Sequence, residues 1–371
     1  MSLRASHERV NDEEPVDGVE AVVLVGGKGT RLRPLTLSAP KPMLPTAGVP
    51  FLKHLLSRIS AIGIKHVVFG TSYMAEVFQN YFGDGSEYGL EIDYVVEAEP
   101  LDTAGGIRNV AEKLREPDVL VFNSDILSGV DLRAVVATHR ETAADVTLHL
   151  VKVPDPRRFG CVPTDADGRV TAFLEKTANP PTDQINAGCY VFRRDVIDTI
   201  PAGRRVSVER ETFPGLLAAG RRLQGYVDSS YWLDVGTPEA FVRGSADLVL
   251  GVAPSAALPG ETGDRLVLAG AKVAADAVIT GGSTVGAGAE VAAGAEVSGS
   301  VLFDGASVGA GAVVERSVLG AGARIEAGAV VSDAVIGDGA IVGARCELRA
   351  GARVWPGVEL PECAIRFSTD A

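Results

Sequence analysis

The feature that most constrains the fold is a repeat in the last third of the chain. Residues 283–350 form four consecutive units of 17 residues, and Val, Ile or Leu returns at steps of six, six and five within each unit. The step of six begins at Val267 and continues through Val354 and Leu360. Hexapeptide spacing predicts a parallel β-helix, with one apolar side chain per hexad in a narrow interior and Gly and Ala at the tight corners. The aligned positions are Val285, Leu302, Leu319 and Ile336; Val291, Val308, Ile325 and Val342; and Val297, Val314, Val331 and Leu348.

The part of the chain before this repeat has a different pattern, in which short β-rich apolar runs alternate with amphipathic stretches. This alternation predicts an α/β domain whose mostly parallel sheet is covered by helices on both faces. The predicted strands are 21–25, 66–70, 92–96, 119–123, 146–153 and 186–192, and the predicted helices are 51–62, 103–114 and 131–142. The predicted domains are a disordered tail over 1–18, the α/β domain over 19–250, a linker over 251–266 and the β-helix domain over 267–371.

Composition excludes several classes of protein. A formal net charge of −13 disfavours a nucleic-acid partner, which generally requires a basic surface. No apolar run is long enough to cross a membrane, and the polar start of the chain does not read as a signal peptide. The four cysteines form no C-x-x-C pair. These features predict a cytoplasmic protein with reduced thiols and no membrane partner.

A Gly-rich basic segment at residues 22–45 is the strongest indication of chemistry. A buried strand runs into Gly26, Gly27 and Gly29, where backbone N–H groups can approach a phosphate without Cβ obstruction. Four cations follow without an acidic residue among them, namely Lys28, Arg31, Arg33 and Lys41. The segment lacks the G-x-x-x-x-G-K-[ST] loop, and Leu32 stands where a dinucleotide fingerprint needs its third glycine. It therefore predicts a nucleotide phosphate site of another kind.

The run GGKGTRLRPLT over 26–36, followed by PKP over 40–42, resembles the signature of the sugar-phosphate nucleotidyltransferases. Nearly the whole chain, from about 19 to 367, resembles the branch with a Rossmann-like catalytic domain and a C-terminal left-handed β-helix. Within that branch it is most similar to the actinobacterial guanylyltransferases. The resemblance implies that GTP and mannose 1-phosphate are converted into GDP-mannose and pyrophosphate.

The resemblance also implies a nucleotide site. Glu97 would contact the base, because a carboxylate can accept hydrogen bonds from both N1–H and the N2 amino group of guanine. Glu99 remains an alternative for this contact. Asp102 stands where the family usually has Gly, so base specificity is open at this position. The implied nucleotide-binding residues are Leu24 and Gly26 near the base; Gly27, Gly29 and Thr30 around the phosphates; Arg31 on the β- and γ-phosphates; Lys41 near the α-phosphate; and Glu97, Asp102 and Asn123.

Two carboxylates are implied to hold Mg²⁺. Asp125 follows the apolar strand at 119–123, and Asp234 lies in YWLDVGTP over 231–238, which resembles the family's W-x-D-x-G-T-P motif. Mg²⁺ prefers few carboxylates together with phosphate oxygens and waters, so two aspartates suffice. Ser124 stands where the family commonly has Gly. Arg31, Lys41, Asp125 and Asp234 are the implied catalytic residues.

The sugar side is implied by three further matches. The Phe159–Gly160 dipeptide resembles the loop over the hexose, and FLEKT over 173–177 resembles F-x-E-K-P. INAGCYVF over 185–192 contains the third match. The implied sugar-phosphate site consists of Gly160, Glu175, Lys176, Asn186 and Gly188.

The implied reaction is attack by a sugar-phosphate oxygen on the α-phosphorus, aided by positioning and charge neutralisation from Mg²⁺, Arg31, Lys41 and Lys176. Uridylyl, thymidylyl or adenylyl transfer to glucose 1-phosphate is an alternative, as is a non-catalytic sugar-nucleotide-sensing subunit. Acyl transfer by the β-helix domain is disfavoured because all five histidines precede residue 150. The expected partners are small-molecule substrates and further copies of the chain, through the β-helix.

Overall fold

A seven-stranded sheet forms the centre of the α/β part of the chain, which precedes the repeat. The computed structural model describes residues 14–174 and 178–366. Six of the strands are parallel and Gln184–Arg193 runs antiparallel to both of its neighbours, which confirms the mostly parallel sheet. Across the sheet the strands lie in the order Leu223–Asp228, Val146–Lys152, Gln184–Arg193, Asp118–Asn123, Val19–Leu24, His66–Thr71 and Glu91–Val96.

The described residues form seven α-helices, of which the last, Pro238–Val249, packs against the β-helix rather than the sheet. The helix predicted over 103–114 is shorter than expected and ends at Asn109, with a 3₁₀ turn at Ala111–Lys113. Gly105 and Gly106, both weak helix formers, lie within it. The helices are α1 Phe51–Ala61, α2 Ala75–Phe82, α3 Asp102–Asn109, α4 Leu132–Glu141, α5 Arg194–Asp198, α6 Phe213–Ala218 and α7 Pro238–Val249.

The central sheet is buried on both faces. In strand Val19–Leu24, Ala21 and Val23 pack into one apolar cluster with Phe69 and Phe78. Val22, which lies between them, packs into a second cluster on the opposite face. Successive side chains of a strand point to opposite faces, so a strand covered on both sides needs apolar residues throughout. This confirms the interpretation of the run at 21–25.

The last third of the chain is a parallel β-helix of three sheets, as expected for the left-handed type. Each coil stacks on the next in the register that the 17-residue repeat predicts, for example Leu302 on Leu319 and Leu319 on Ile336. The three sheets are Arg265–Val267, Ser283–Val285, Val301–Leu302, Val318–Leu319, Val335–Ile336 and Arg353–Val354; Lys272–Val273, Glu290–Val291, Ser307–Val308, Arg324–Ile325, Ile341–Val342 and Glu359–Leu360; and Val278–Thr280, Glu296–Ser298, Val313–Glu315, Val330–Ser332 and Glu347–Leu348.

The interior of the β-helix contains the aligned Val, Ile and Leu residues together with alanines such as Ala306 and Ala323. Gly305 has φ +68°, a turn conformation that costs a glycine little. Val267 is the exception, because 42% of it is exposed. It lies in the first coil, whose strand pairs on one side only, so the expectation of a buried Val267 is wrong.

The Gly-rich basic segment rests on the β-helix. Leu32 and Leu35 of that segment are buried in one cluster with Val301 and Phe303 of the β-helix. In addition, Arg353 Nη1 of the β-helix donates to the carbonyl oxygen of Arg33 at 2.7 Å. The β-helix therefore supports the segment that the sequence marks as the phosphate site. Among the helices of the described residues, none combines the length and apolar character needed to cross a membrane.

His66 forms a buried polar network that gives the fold a pH dependence. Its Nδ1 lies 2.6 Å from Glu20 Oε2, and this hydrogen bond raises the pKa of His66 against the opposing effect of burial. Because the folded protein binds this proton more tightly than the unfolded chain, His66 adds to the free energy of unfolding. This contribution is fully present at pH values below the pKa in the unfolded chain, about 6.5, and is lost as pH rises through the pKa in the folded protein. We expect His66→Gln to lower the free energy of unfolding more at about pH 6 than at about pH 9, as measured by urea titration.

The matched control is His149, which also pairs with a carboxylate, Asp228, at 2.7 Å. Burial lowers the pKa of His149, so its contribution to stability is present at high pH and lost as pH falls. His149→Gln should therefore show the opposite trend between the same two pH values. Equal losses for His66→Gln at both pH values would contradict the charged pair with Glu20.

Candidate active site

A cavity of about 370 Å³ opens at the carboxyl ends of the parallel strands. Strands Val19–Leu24 and Asp118–Asn123 are neighbours, with Leu24 opposite Asn123, so the segments that follow them meet here. Ligands of open α/β sheets bind at this edge. The cavity brings together many of the residues predicted from the sequence, namely Leu24, Gly26, Gly27, Gly29, Thr30, Arg31, Lys41, Asn123 and Asp125.

The basic segment folds back on itself beside this cavity. Gly29 has φ +53°, and Thr36 Oγ1 donates to its carbonyl oxygen at 2.9 Å. A Cβ at Gly29 would lie 2.9 Å from Thr36 Cγ2 and 3.1 Å from Lys41 Cβ. Only glycine therefore lets Lys41 approach the start of the segment.

A two-stranded ribbon brings the two predicted metal ligands together. Ile126–Ser128 pairs antiparallel with Trp232–Asp234, so that Asp234 lies opposite Ile126, next to Asp125 in the chain. Val235 N donates to the carbonyl oxygen of Asp125 at 3.0 Å. Lys41 Nζ donates to Asp125 Oδ2 at 2.8 Å. The ribbon thus brings the two aspartates together: Asp125 lines the cavity, and Asp234 lies just outside the lining, beside the lining residue Gly236.

The carboxylate of Asp234 has the environment of a cation ligand. Burial and then the charge of Asp125 raise the pKa of Asp234, against the opposing charges of Lys41 and Arg31. Its Oδ1 is buried and has no hydrogen-bond partner among the described residues. Carboxylate oxygens are the donors that hard divalent cations prefer. The two aspartates therefore fit a divalent metal. Ser124 lies between the end of strand Asp118–Asn123 and Asp125. It is buried, and its backbone N–H donates to the carbonyl oxygen of Leu24 at 3.4 Å.

Gly236 leaves room for the Arg31 guanidinium. A Cβ at this position would lie 2.7 Å from Arg31 Nη2 and 3.0 Å from Asp234 Oδ1. We expect Gly236→Ala to displace Arg31 and to lower kcat about 10-fold or more, since small misplacements of charged groups are costly in catalysis. Steady-state kinetics measure the effect, and the melting temperature should change little.

The control for this substitution is Gly215→Ala in α6, where a Cβ meets no described atom within 4 Å outside its own helix. An alanine there is favourable for a helix and should leave kcat unchanged. If Gly236→Ala and Gly215→Ala have the same kcat, Gly236 does not position Arg31.

A second cavity, of about 260 Å³, adjoins the first and shares Leu24, Gly26 and Gly27 with it. Glu97 lines this cavity, and its Oε2 accepts a hydrogen bond from Leu101 N at 3.0 Å. Burial raises the pKa of Glu97. The alternative carboxylate, Glu99, is exposed.

Asp102 lines the same cavity as Glu97 and has φ +63°. This left-handed conformation is unstrained for glycine, and Asp tolerates it better than most other residues. Asp102 thus keeps the backbone conformation that a glycine would adopt at this position, but it adds a carboxylate to the cavity.

A third cavity, of about 350 Å³, contains part of the predicted sugar site. Phe159, Gly160 and Asn186 line it, and Asn186 Nδ2 donates to Tyr190 Oη at 2.7 Å. Gly188, with φ +77°, lies outside this lining. Its N–H donates to Asn186 Oδ1 at 3.1 Å, and a Cβ there would lie 3.0 Å from Asn123 Nδ2.

Glu175 and Lys176 lie outside the described residues, so their roles remain predictions from the sequence. The structure also adds lining residues that sequence reasoning missed. Gly236 could have been predicted because it belongs to the YWLDVGTP motif, but the other added residues lie in no motif that a single sequence reveals. The added residues are Ser72, Thr103, Arg205, Glu209, Arg210 and Gly236.

Comparison with protein families decides the class. The nucleotidyl transferase family model matches residues 20–249, and the GMPPB C-terminal domain model matches residues 262–365. The chain belongs to the nucleotidyl transferase family. As a nucleotidyltransferase it is an enzyme that combines a nucleoside triphosphate with a sugar phosphate to form a nucleotide sugar. Nucleotidyltransferases of this family generally use a divalent metal, which agrees with the carboxylates of Asp125 and Asp234.

Individual relatives of this nucleotidyltransferase cover different shares of it. A mannose-1-phosphate guanylyltransferase of Mycobacterium tuberculosis is 65% identical over 95% of this chain and 98% of its own length. Mannose-1-phosphate guanylyltransferase 1 of Arabidopsis thaliana is 36% identical over 61% of this chain and 63% of its own length. The crystal structure of HddC from Yersinia pseudotuberculosis complexed with GMP-PN covers 62% of this chain and 99% of its own, with 27% identity and a TM-score of 0.55.

Proposed function

We propose that this nucleotidyltransferase is a Mg²⁺-dependent mannose-1-phosphate guanylyltransferase that forms GDP-mannose and pyrophosphate from GTP and mannose 1-phosphate. The observation that carries the chemistry is the pair Asp125 and Asp234, held beside Lys41 and Arg31 at the strand ends. The near full-length likeness to the M. tuberculosis guanylyltransferase supports the choice of substrates.

In the proposed mechanism the residues of the first cavity bind and orient the triphosphate. Arg31 binds the β- and γ-phosphates, Lys41 neutralises charge around the α-phosphate, and the backbone at Gly27 and Gly29 contacts phosphate oxygens. Asp125 and Asp234 would hold the Mg²⁺ ion, which would supply further positive charge to the same phosphates. Such preorganised charge is most effective where it faces the charge that develops in the transition state.

The hexose 1-phosphate occupies the third cavity, which Gly160 and Asn186 line. The resemblance assigns further contacts with the sugar hydroxyls to Glu175 and Gly188 and the contact with the sugar phosphate to Lys176. The phosphate oxygen of this substrate attacks the α-phosphorus in line, a P–O bond forms, and the bond to the departing pyrophosphate breaks. The nucleophile is already anionic, so no general base is needed. Catalysis then rests on positioning and charge neutralisation.

Pyrophosphate release tests this function. The purified protein is incubated with Mg²⁺ and each combination of four nucleoside triphosphates with several hexose 1-phosphates. We expect the highest kcat/KM with GTP and mannose 1-phosphate. If kcat/KM were highest with UTP, dTTP or ATP and glucose 1-phosphate, the assignment of the substrates would change but the proposed chemistry would stand. Nucleotide binding without release from any pair would indicate a sensing subunit instead.

Three further properties belong to the proposal. A cytoplasmic location is supported by four cysteines that form no disulfide. The division into domains 19–250 and 267–371 is supported by the two separate family matches. Self-association through the β-helix is supported by exposed apolar side chains there, such as Val278 and Trp355. Light scattering coupled to gel filtration tests the last point, and a monomer at all concentrations would contradict it.

A further inference from the structure

An ion pair links the second cavity, which Glu97 lines, with the third cavity, which contains part of the predicted sugar site and is called the sugar-side cavity below. Asp102 lines the former and Arg210 lines the latter. Arg210 Nη2 lies 3.2 Å from Asp102 Oδ2, while Asp102 Oδ1 accepts from Thr103 N at 3.0 Å. One side-chain contact therefore spans the boundary between two pockets.

The backbone around this pair is held by several hydrogen bonds between residues 101–105 and residues 206–208. The N–H groups of Ala104 and Gly105 both donate to Val206 O, at 2.9 and 3.1 Å, and Val206 N donates to Leu101 O at 3.0 Å. Val208 N donates to Thr103 Oγ1 at 2.9 Å. The segment that carries Arg210 is thus fixed to the start of α3, and the ion pair only has to orient the guanidinium.

The contribution of this pair to stability is expected to be small. The Arg210 side chain is 65% exposed, and exposed ion pairs contribute little because solvent screens them. The guanidinium makes no other hydrogen bond within the described residues, so most of its five donors are available to a ligand. Arginine binds phosphate through the same planar fork that binds carboxylate.

The charge of the sugar-side cavity indicates what that ligand is. Among the described residues that line this cavity, Arg210 is the one cation and Glu209 the one anion. The substrate expected there carries a phosphate dianion as well as hydroxyls. A phosphate dianion carries two charges, so a second cation beside Lys176, which is assigned to this phosphate from the sequence, would complete its neutralisation.

We propose that Arg210 binds the phosphate of the hexose 1-phosphate and that Asp102 positions the Arg210 guanidinium for this contact. The inference rests on the proposed function, in that it requires a sugar 1-phosphate as acceptor. It does not depend on which base or which hexose is used, because the phosphate is common to all of the acceptors considered.

Steady-state kinetics with the most active substrate pair test the proposal. Removing a charge-assisted hydrogen bond weakens binding about 10-fold or more, so Arg210→Gln should raise the KM for hexose 1-phosphate by that factor. The KM for the triphosphate should stay within about twofold, and Arg210→Lys should restore part of the loss because it keeps the charge. The matched control is Arg316→Gln, which removes an exposed arginine paired with Asp333 at 2.7 Å on the β-helix and should change neither KM.

Asp102→Asn tests the positioning role. It should raise the KM for hexose 1-phosphate less than Arg210→Gln does, and the double variant should be no worse than Arg210→Gln alone, because coupled residues are non-additive. An unchanged acceptor KM in Arg210→Gln, or equal increases in both KM values, would overturn the phosphate contact. Additive effects of the two substitutions would overturn the role of Asp102. If none of the tested substrate pairs gave pyrophosphate with the wild-type protein, the proposed function itself would fail.

Discussion

Asp125→Asn is expected to lower kcat by at least about 100-fold, because the substitution removes a charge that faces the reacting phosphates. Asp125 lines the cavity beside Asp234, and its Oδ2 also accepts from Lys41 Nζ. Asparagine keeps the shape of the side chain but loses the charge that would hold Mg²⁺ and orient Lys41. The side chain is 36% exposed, so the melting temperature should change little.

Two measurements separate loss of metal binding from loss of folding. Electron paramagnetic resonance of added Mn²⁺ in the presence of nucleotide reports metal binding without turnover, and we expect weaker binding in Asp125→Asn. The matched control is Asp276→Asn, which makes the same change at an exposed position of the β-helix. Normal kcat and normal Mn²⁺ binding in Asp125→Asn would refute the metal assignment.

The β-helix could be predicted almost completely from the sequence, because its interior is one-dimensional. Each coil contacts only its neighbours, so a register that holds in sequence also holds in space, as the stacking of Val285, Leu302 and Leu319 illustrates. The prediction is wrong at Val267, where the stack ends. Periodicity predicts the repeating unit, but it does not show at which coil the stack ends and the interior side chains become exposed to solvent.

The α/β part of the chain was less predictable because several of its helices and strands are short or lack a clear hydrophobic periodicity. No helix is predicted from the sequence at α2, α5, α6 or α7, of which α5 and α6 contain only five and six residues. Strand Leu223–Asp228 at the sheet edge was also missed. Its one neighbour in the sheet, Val146–Lys152, comes from a distant part of the chain, so long-range pairing rather than local pattern decides its structure.

The candidate site divides in the same way. The resemblance supplied Arg31, Lys41, Asp125 and Asp234, which lie in recognisable motifs. The structure supplied contacts between motifs, such as Gly236 against Arg31 and the pairing of Asp102 with Arg210. These contacts join positions about one hundred or two hundred residues apart, and a single sequence carries no signal for such pairs.

Glu97→Gln is expected to reduce selectivity for GTP. In the proposed site the Glu97 carboxylate accepts hydrogen bonds from N1–H and the N2 amino group of guanine. A glutamine offers one acceptor and one NH₂, so one guanine donor would face another donor. Buried polar groups left without a partner are costly, and we expect kcat/KM for GTP to fall about 100-fold. The selectivity for GTP over ITP should fall as well, because ITP lacks the N2 amino group.

Glu99→Gln is the matched control, and it also decides between the two carboxylates that the sequence left open. Glu99 is exposed, whereas Glu97 lines the cavity beside Leu24 and Gly26, so only Glu97→Gln should change the ratio of kcat/KM for GTP and ITP. The raised pKa of Glu97 adds a pH test. Protonation removes an acceptor, so GTP selectivity should decline as pH falls, and this decline should begin at a higher pH than for an ordinary carboxyl. A loss of selectivity in Glu99→Gln alone would move base recognition to that residue.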